Sequence, residues 1–223
     1  MPAENLRAVL WDLDGTLLDS EKLWDIPLYE LTEKLGGQLS LETRQAMVGT
    51  NVMVTLRLLY AEVGIAEPTP EQVADGAAWI DRRMAEVFRQ DLQWRPGAAA
   101  ALRTVRASGL PMALVTSTER GLTEIALDTI GRSLFDVTVC GDEVDGRNKP
   151  LPEPYLKAAR MLDVDPTACV AIEDSPTGTE SAVAAGATVL VVPCEVPVER
   201  GERRVFRESL AGLTVSDLTA LLG

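Results

Sequence analysis

The sequence predicts an α/β fold, a parallel sheet covered by helices on both faces with an all-helical domain inserted after the first strand. Three observations carry this expectation. Short apolar, β-branched runs alternate with helical patterns over most of the chain. Acidic or hydroxyl residues close several of those runs at their C-terminal ends, where parallel sheets bind ligands. One stretch, from about Ser20 to about Gln93, breaks the alternation and carries only helical periodicity.

In chain order, Ala8–Leu13 is the first predicted strand. Trp24, Leu28, Leu31 and Leu35 then recur at helical spacing, and Val73, Ala77, Ile80, Met84 and Val87 form a second stripe. Both stripes read as core packing, and Gly36–Ser40 and Glu67–Pro70 read as the connections between helices. Arg95-Pro96-Gly97 marks the return to alternation, with Pro96 placed to open a helix. Helices Ala98–Ala107, Leu122–Ile130, Glu153–Leu162 and Thr177–Ala185 then lead in turn to strands Pro111–Val115, Val137–Cys140, Ala168–Ile172 and Thr188–Val192, with one helix next to each. Glu195–Arg207, rich in charge, reads as a surface excursion before a last helix near Ser216–Leu222. The expected division is residues 1–18 with 94–223 for the sheet domain and 19–93 for the helical one.

A chain of 223 residues, 46% of them hydrophobic, is long enough for one large domain with an insert. Its formal net charge of −13 argues against nucleic acid or an anionic membrane as partner. The same charge repels a phosphorylated metabolite, so a phosphate site here needs a metal ion or a fixed lysine to reverse the field locally. Acid precedes the first apolar run, which meets Asp12 too soon for a signal-peptide core, and no stretch reaches membrane-spanning length. A cytoplasmic protein is expected. Cys140, Cys169 and Cys194 form no CxxC pair, and buried reduced thiols are the plain reading. The chain has no histidine, which excludes Ser-His-Asp and Cys-His catalysis and histidine-bound zinc.

Four stretches can carry chemistry. Asp12-Leu13-Asp14-Gly15-Thr16-Leu17 places two carboxylates where the first strand ends; a calcium loop would need a third ligand before its glycine, and a simple Asp14-Gly15 turn is the alternative. Thr116-Ser117-Thr118 offers hydroxyls and amides at a strand-to-helix junction, suited to phosphate oxygens or to helix capping. Lys149-Pro150 sits among prolines that would hold one lysine in place. Glu173-Asp174-Ser175 closes an apolar strand with adjacent acids, which repel unless a hard cation sits among them; helix capping by Asp174 or Ser175 is the alternative.

Taken in order, these four stretches resemble the signature motifs of the haloacid-dehalogenase superfamily. With the helical stretch directly after Asp19-Ser20, they resemble the branch that contains β-phosphoglucomutase and small sugar-phosphate phosphatases. The resemblance covers essentially the whole chain and implies a Rossmann-like core with a helical cap. It implies an enzyme in which Asp12 attacks phosphorus to form an aspartyl-phosphate, while Asp14 serves as general acid and then base. It implies Mg²⁺ held by Asp12, the carbonyl of Asp14, and Asp174, with Glu173 directly or through water. Lys149, Thr116, Ser117 and Thr118, with Leu13, would hold the phosphoryl group. Asp19 and Ser20 would sit at the hinge of the cap, and Gly49, Thr50, Asn51 and Arg83, with Trp24 or Trp79 as further candidates, would read the leaving group.

The expected function is therefore hydrolysis of a small phosphorylated metabolite of the sugar or polyol type, by a protein expected to be a monomer. The nearest rival is a phosphomutase, for which the resemblance implies a basic residue after the cap glycine. Gly49-Thr50-Asn51-Val52 is neutral, leaving Arg57 or Arg83 to compensate. A phosphonate hydrolase would need a cap lysine, and only Lys22 and Lys34 are present near the first cap helix. A catalytically silent binding protein on the same scaffold is the rival from another class.

Overall fold

The structure is a computed structural model and describes residues 5–223. Residues 1–4, on which part of the N-terminal reading rests, lie outside the described residues. The strands are β1 (Ala8–Trp11), β2 (Met112–Val115), β3 (Val137–Val139), β4 (Cys169–Glu173), β5 (Thr188–Val191) and β6 (Arg204–Phe206). They form one six-stranded sheet in the order β3-β2-β1-β4-β5-β6, and every pairing is parallel. The chain winds outward from β1 to β3 and then restarts at β4 on the other side of β1. A cleft opens at the C-terminal ends of strands where such a sheet changes direction.

Side-chain alternation explains why these runs become central strands. Along β1, Val9 and Trp11 enter one apolar cluster while Ala8 and Leu10 enter another on the opposite face. Every residue of β1, β2, β4 and β5 is buried, as near-continuous apolar strands covered on both faces require.

Between β1 and β2 lie α1 (Glu21–Lys34), α2 (Leu41–Met47), α3 (Val52–Glu62), α4 (Pro70–Asp91) and α5 (Ala98–Ala107). The α4 helix opens with a capping box between Thr69 and Gln72 and with Pro70 in its first turn. Leu28, Leu31, Leu56, Leu59, Ile80 and Met84 join the same apolar cluster as Trp11 and Leu17, so the first four helices pack onto one end of the core. Two adjacent backbone segments carry the chain into and out of this helical insert, with an antiparallel bridge between Leu18 and Trp94 and an Asp19 N–H bond to the Gln93 carbonyl of 2.8 Å. After β2 come α6 (Arg120–Ile130), α7 (Glu153–Met161), α8 (Pro176–Ala184) and α9 (Val215–Ala220).

Three expectations need correction. Glu195–Arg207 is not only a surface excursion, because Arg204–Phe206 pairs with β5 as the edge strand. It is three residues long and only partly buried, so it carries no apolar run to reveal it. Pro96 does not open a helix: Gly97, with φ +81°, is the residue before α5, and Ala98 is its first. Cys194 is half-buried rather than buried, and all three thiols are free. Burial pushes the Cys140 thiol up to about 11 and the other two to about 12, which keeps them protonated and unreactive. Among the described residues no helix is long and apolar enough to cross a membrane.

Candidate active site

Strand register builds the floor of the site. In the β1–β4 pairing Trp11 lies opposite Ile172, so Asp12 leaves the sheet beside Glu173 and Asp174, and the Asp12 amide donates to the Ile172 carbonyl at 3.0 Å. Asp12, Glu173 and Asp174 are buried, and one oxygen from each lies within 4.8 Å of the others. Two stretches more than 150 residues apart in sequence thus gather three carboxylates at one point.

Lys149 is the counter-charge. Its Nζ donates to Asp12 Oδ1 at 2.7 Å, to Glu173 Oε1 at 2.6 Å and to the Val115 carbonyl at 3.0 Å. The Tyr155 hydroxyl donates to the same Glu173 oxygen at 2.5 Å, and its ring lies 5.2 Å from Nζ. Burial opposes the charge on Lys149, but Asp12 and Glu173 outweigh it and hold the ammonium above its ordinary range. Burial and the neighbouring Glu173 push the Asp12 carboxyl up to about 8, with Lys149 pulling the other way. Burial, then Asp12 and Glu173, hold Asp174 well above the usual carboxylate range.

The alternatives left by the sequence resolve locally. Ser175, not Asp174, caps α8, its hydroxyl accepting from the Gly178 amide at 3.1 Å. Asp174 is thereby left for the cluster. Its Oδ1 accepts from Thr16 at 3.2 Å, while its buried Oδ2 has no hydrogen-bond partner among the described residues. Gly15, at φ +77°, is required beside it, because a Cβ there would run into that Oδ2. Three buried acids against one lysine, with one oxygen orphaned, form a donor set that fits a hard divalent cation such as Mg²⁺.

Asp14 is gripped from two sides. Its Oδ1 accepts from the Ser20 hydroxyl at 2.7 Å and the Trp24 indole at 3.2 Å; its Oδ2 accepts from Thr118 at 2.7 Å and Thr116 at 3.4 Å. Trp24, half-buried, is therefore a polar contact of the site as well as a packing residue.

Above this floor lies a cavity between the helical insert and the C-terminal end of the sheet. Asp12, Asp14, Thr116, Ser117, Thr118 and Lys149 line its sheet side, and Gly49 and Thr50 its helical side. The Ser117 hydroxyl donates to the Gly49 carbonyl at 3.1 Å, joining the two. The rest of the helical wall is largely apolar, with Trp24, Leu28, Met47, Val52 and Ile80.

Four of the expected substrate-binding residues stand apart from that cavity. Leu13 is wholly buried in the apolar cluster, because its side chain points from the strand end into the core. Asn51 caps α3, its side chain accepting from the amides of Met53 and Val54. Asp19 lies 3.8 Å from Arg95 at the junction of insert and sheet. Arg83 is held by Glu30 at 2.8 and 2.9 Å and by Glu86 at 3.0 Å, on the outer side of α4. Trp79 likewise lies outside the cavity, under Lys34.

The cavity also has residues that the sequence reading did not single out. Arg44 is buried and lines it, held by Asp25 at 2.6 Å, the Glu21 carbonyl at 2.7 Å and the Glu21 carboxylate at 3.2 Å. The signal was Glu21 and Asp25, acids four apart on one face of a helix and half turned inward, which call for a cation from another element. Thr16 and Tyr155 lay inside stretches already singled out, but nothing in the sequence gives the direction of their side chains.

Comparison with known proteins fixes the class. The profile of the haloacid dehalogenase-like hydrolases matches residues 6–186. The chain belongs to that family. It is 29% identical over 218 residues to hexitol phosphatase B of Escherichia coli K12, covering 97% of this chain and 94% of the relative. It is 30% identical over 185 residues to a phosphorylated carbohydrates phosphatase of Thermotoga maritima, covering 81% and 82% of the two chains. The crystal structure of β-phosphoglucomutase from Clostridium difficile superposes with a TM-score of 0.85 over 97% of both chains at 20% identity, a likeness of fold. The α/β core with a helical insert stands, and so does the place among the haloacid dehalogenase-like hydrolases, with named phosphatases among the relatives.

Proposed function

We propose that this family member is a Mg²⁺-dependent phosphatase acting on a small phosphorylated sugar or polyol through an aspartyl-phosphate on Asp12. The observation that carries the proposal is the buried Asp12–Glu173–Asp174 cluster tied to Lys149 on the floor of the cavity. Asp12, the Asp14 carbonyl and Asp174 would hold Mg²⁺, with Glu173 directly or through water; when bound, the ion neutralises charge on the transferring group.

The remaining work falls to side chains. Burial and Glu173 hold the Asp12 carboxyl high, while the Lys149 ammonium on its Oδ1 favours the anion, the form in which Asp12 attacks. Asp12 then attacks phosphorus, and the P–O bond to the leaving alcohol breaks. Asp14, oriented by Ser20, Trp24, Thr116 and Thr118, passes a proton to that oxygen and later takes one from the water that cleaves the aspartyl-phosphate. The Thr116 hydroxyl and the Ser117 amide bind phosphoryl oxygens. Glu173 Oε1, which accepts from both Lys149 and Tyr155, holds the lysine in position. The helical insert acts as the cap that keeps water from the reacting centre.

Hydrolysis is favoured over phosphoryl transfer within a sugar bisphosphate because no arginine is free to hold a second phosphate: Arg83 is paired outside the cavity, Arg57 is exposed on α3, and Arg44, which lines the cavity, is committed to Glu21 and Asp25. The names of the two phosphatase relatives support the same reading. The test is hydrolysis of p-nitrophenyl phosphate with Mg²⁺ and with EDTA. Turnover that needs the metal and disappears in Asp12→Asn is expected; equal activity in that variant, or none in the wild type, removes the proposal.

A further inference from the structure

Charge is distributed unevenly in the cavity. Its two cations are both committed: Lys149 to Asp12 and Glu173 on the floor, Arg44 to Glu21 and Asp25 on the helical wall. Two further acids line the cavity from adjoining helices, Asp81 on α4 and Glu119 at the start of α6, close enough for Asp81 to help raise the Glu119 carboxyl. Among the described residues neither carboxylate has a hydrogen bond or ion pair. The other polar groups on this side are neutral: Thr50 and Thr55, whose hydroxyls share a hydrogen bond of 3.0 Å.

A phosphate ester bound on the floor projects its alcohol into this space. A second anionic group there would meet Asp81 and Glu119 with no cation left to receive it, and would lose its own hydration against Trp24 and Met47. Hydroxyl groups fare better, since each can donate to a free carboxylate or exchange with the threonines while the carbon chain lies on the apolar wall.

Resting on the phosphatase reading above, we infer that the cavity selects monophosphates of uncharged polyhydroxy alcohols and rejects substrates whose alcohol carries a carboxylate or a second phosphate, with Asp81 and Glu119 as the residues that impose the rejection. The two side chains are exposed and unpaired, so replacing them with amides removes charge without opening the core.

The test compares kcat/KM on sorbitol 6-phosphate, 2-phosphoglycolate and glucose 1,6-bisphosphate, with p-nitrophenyl phosphate as reference. The wild type should prefer the polyol phosphate to either anionic substrate by about a hundredfold, and Asp81→Asn/Glu119→Gln should narrow that gap about tenfold at low salt. The change should appear chiefly in the anionic substrates, whereas general damage would lower all three together. Turnover of p-nitrophenyl phosphate with no preference for the polyol phosphate, or a gap that the double variant leaves untouched, overturns the inference and leaves the phosphatase reading intact. Failure on every ester, p-nitrophenyl phosphate included, removes both.

Discussion

Removing Lys149 while the acids around it remain is the sharpest perturbation available at the floor of the site. Its Nζ serves three acceptors at 2.7, 2.6 and 3.0 Å, and it is 4% exposed. Lys149→Met leaves Asp12 and Glu173 facing each other out of water, and stripping one partner from a buried ion pair costs about 3–5 kcal/mol. Glu173→Gln removes one acid but keeps an oxygen for the Tyr155 hydroxyl, so its own cost is about 1–2 kcal/mol. In the double variant the lysine is lost from a cluster already one charge poorer, and its loss costs about 2 kcal/mol less than in the wild type. Urea unfolding in EDTA at pH 7.5 measures all four corners of this cycle. Single effects that add to within about 0.5 kcal/mol would show that Lys149 and Glu173 do not act as a unit, and would refute the reasoning.

Further outcomes follow from neighbouring residues. The Glu21 carboxyl, raised by burial to about 7 despite Arg44, keeps its proton in the folded protein at pH values where the unfolded chain, near 4.5, has lost it. Stability from this group is therefore greatest below about 4.5 and declines as pH rises to about 7, by up to about 3 kcal/mol; chemical denaturation of Glu21→Gln at pH 5 and 7.5 should show a flatter dependence than wild type. Gly15→Ala forces a Cβ against Asp174 at a positive φ, so a loss of about 2–4 kcal/mol and of any response to Mg²⁺ is expected in thermal unfolding. Mg²⁺ at about a hundred times its Kd should stabilise the wild type by about 2.7 kcal/mol, and Asp174→Asn should remove most of that increment. Trp24→Phe deletes one donor to Asp14 while keeping most of the apolar contact; a fall in kcat of about threefold to tenfold with little change in melting temperature is expected.

The central strands could be read from the sequence because burial on both faces leaves an unbroken apolar run, and the acids at their ends could be read because nothing apolar explains them. Strand β6 lacked that signature, having a single neighbour and a charged first residue. On the helical insert, periodicity separated core from surface but did not give the partner of a long side chain. Arg83 and Arg44 have the same chemistry in sequence, yet Glu30, 53 residues away, draws Arg83 outward, while Glu21 and Asp25 draw Arg44 toward the cavity. Spacing within Asp12–Asp14 showed two carboxylates close together; that Thr116 and Thr118, 102 and 104 residues on, would secure the second depended on the β1–β2 pairing.

The grip on Asp14 ties chemistry to posture. One of its oxygens is held from the entry of the helical insert and the other from the sheet, so any tilt of α1 strips the first and spares the second. In the proposed mechanism, a carboxyl released on one side would no longer hold its proton along a fixed line, and transfer to the leaving oxygen would slow. Fidelity to the bound ester would then come from the moving element itself, through two short contacts at Ser20 and Trp24, with no separate latch.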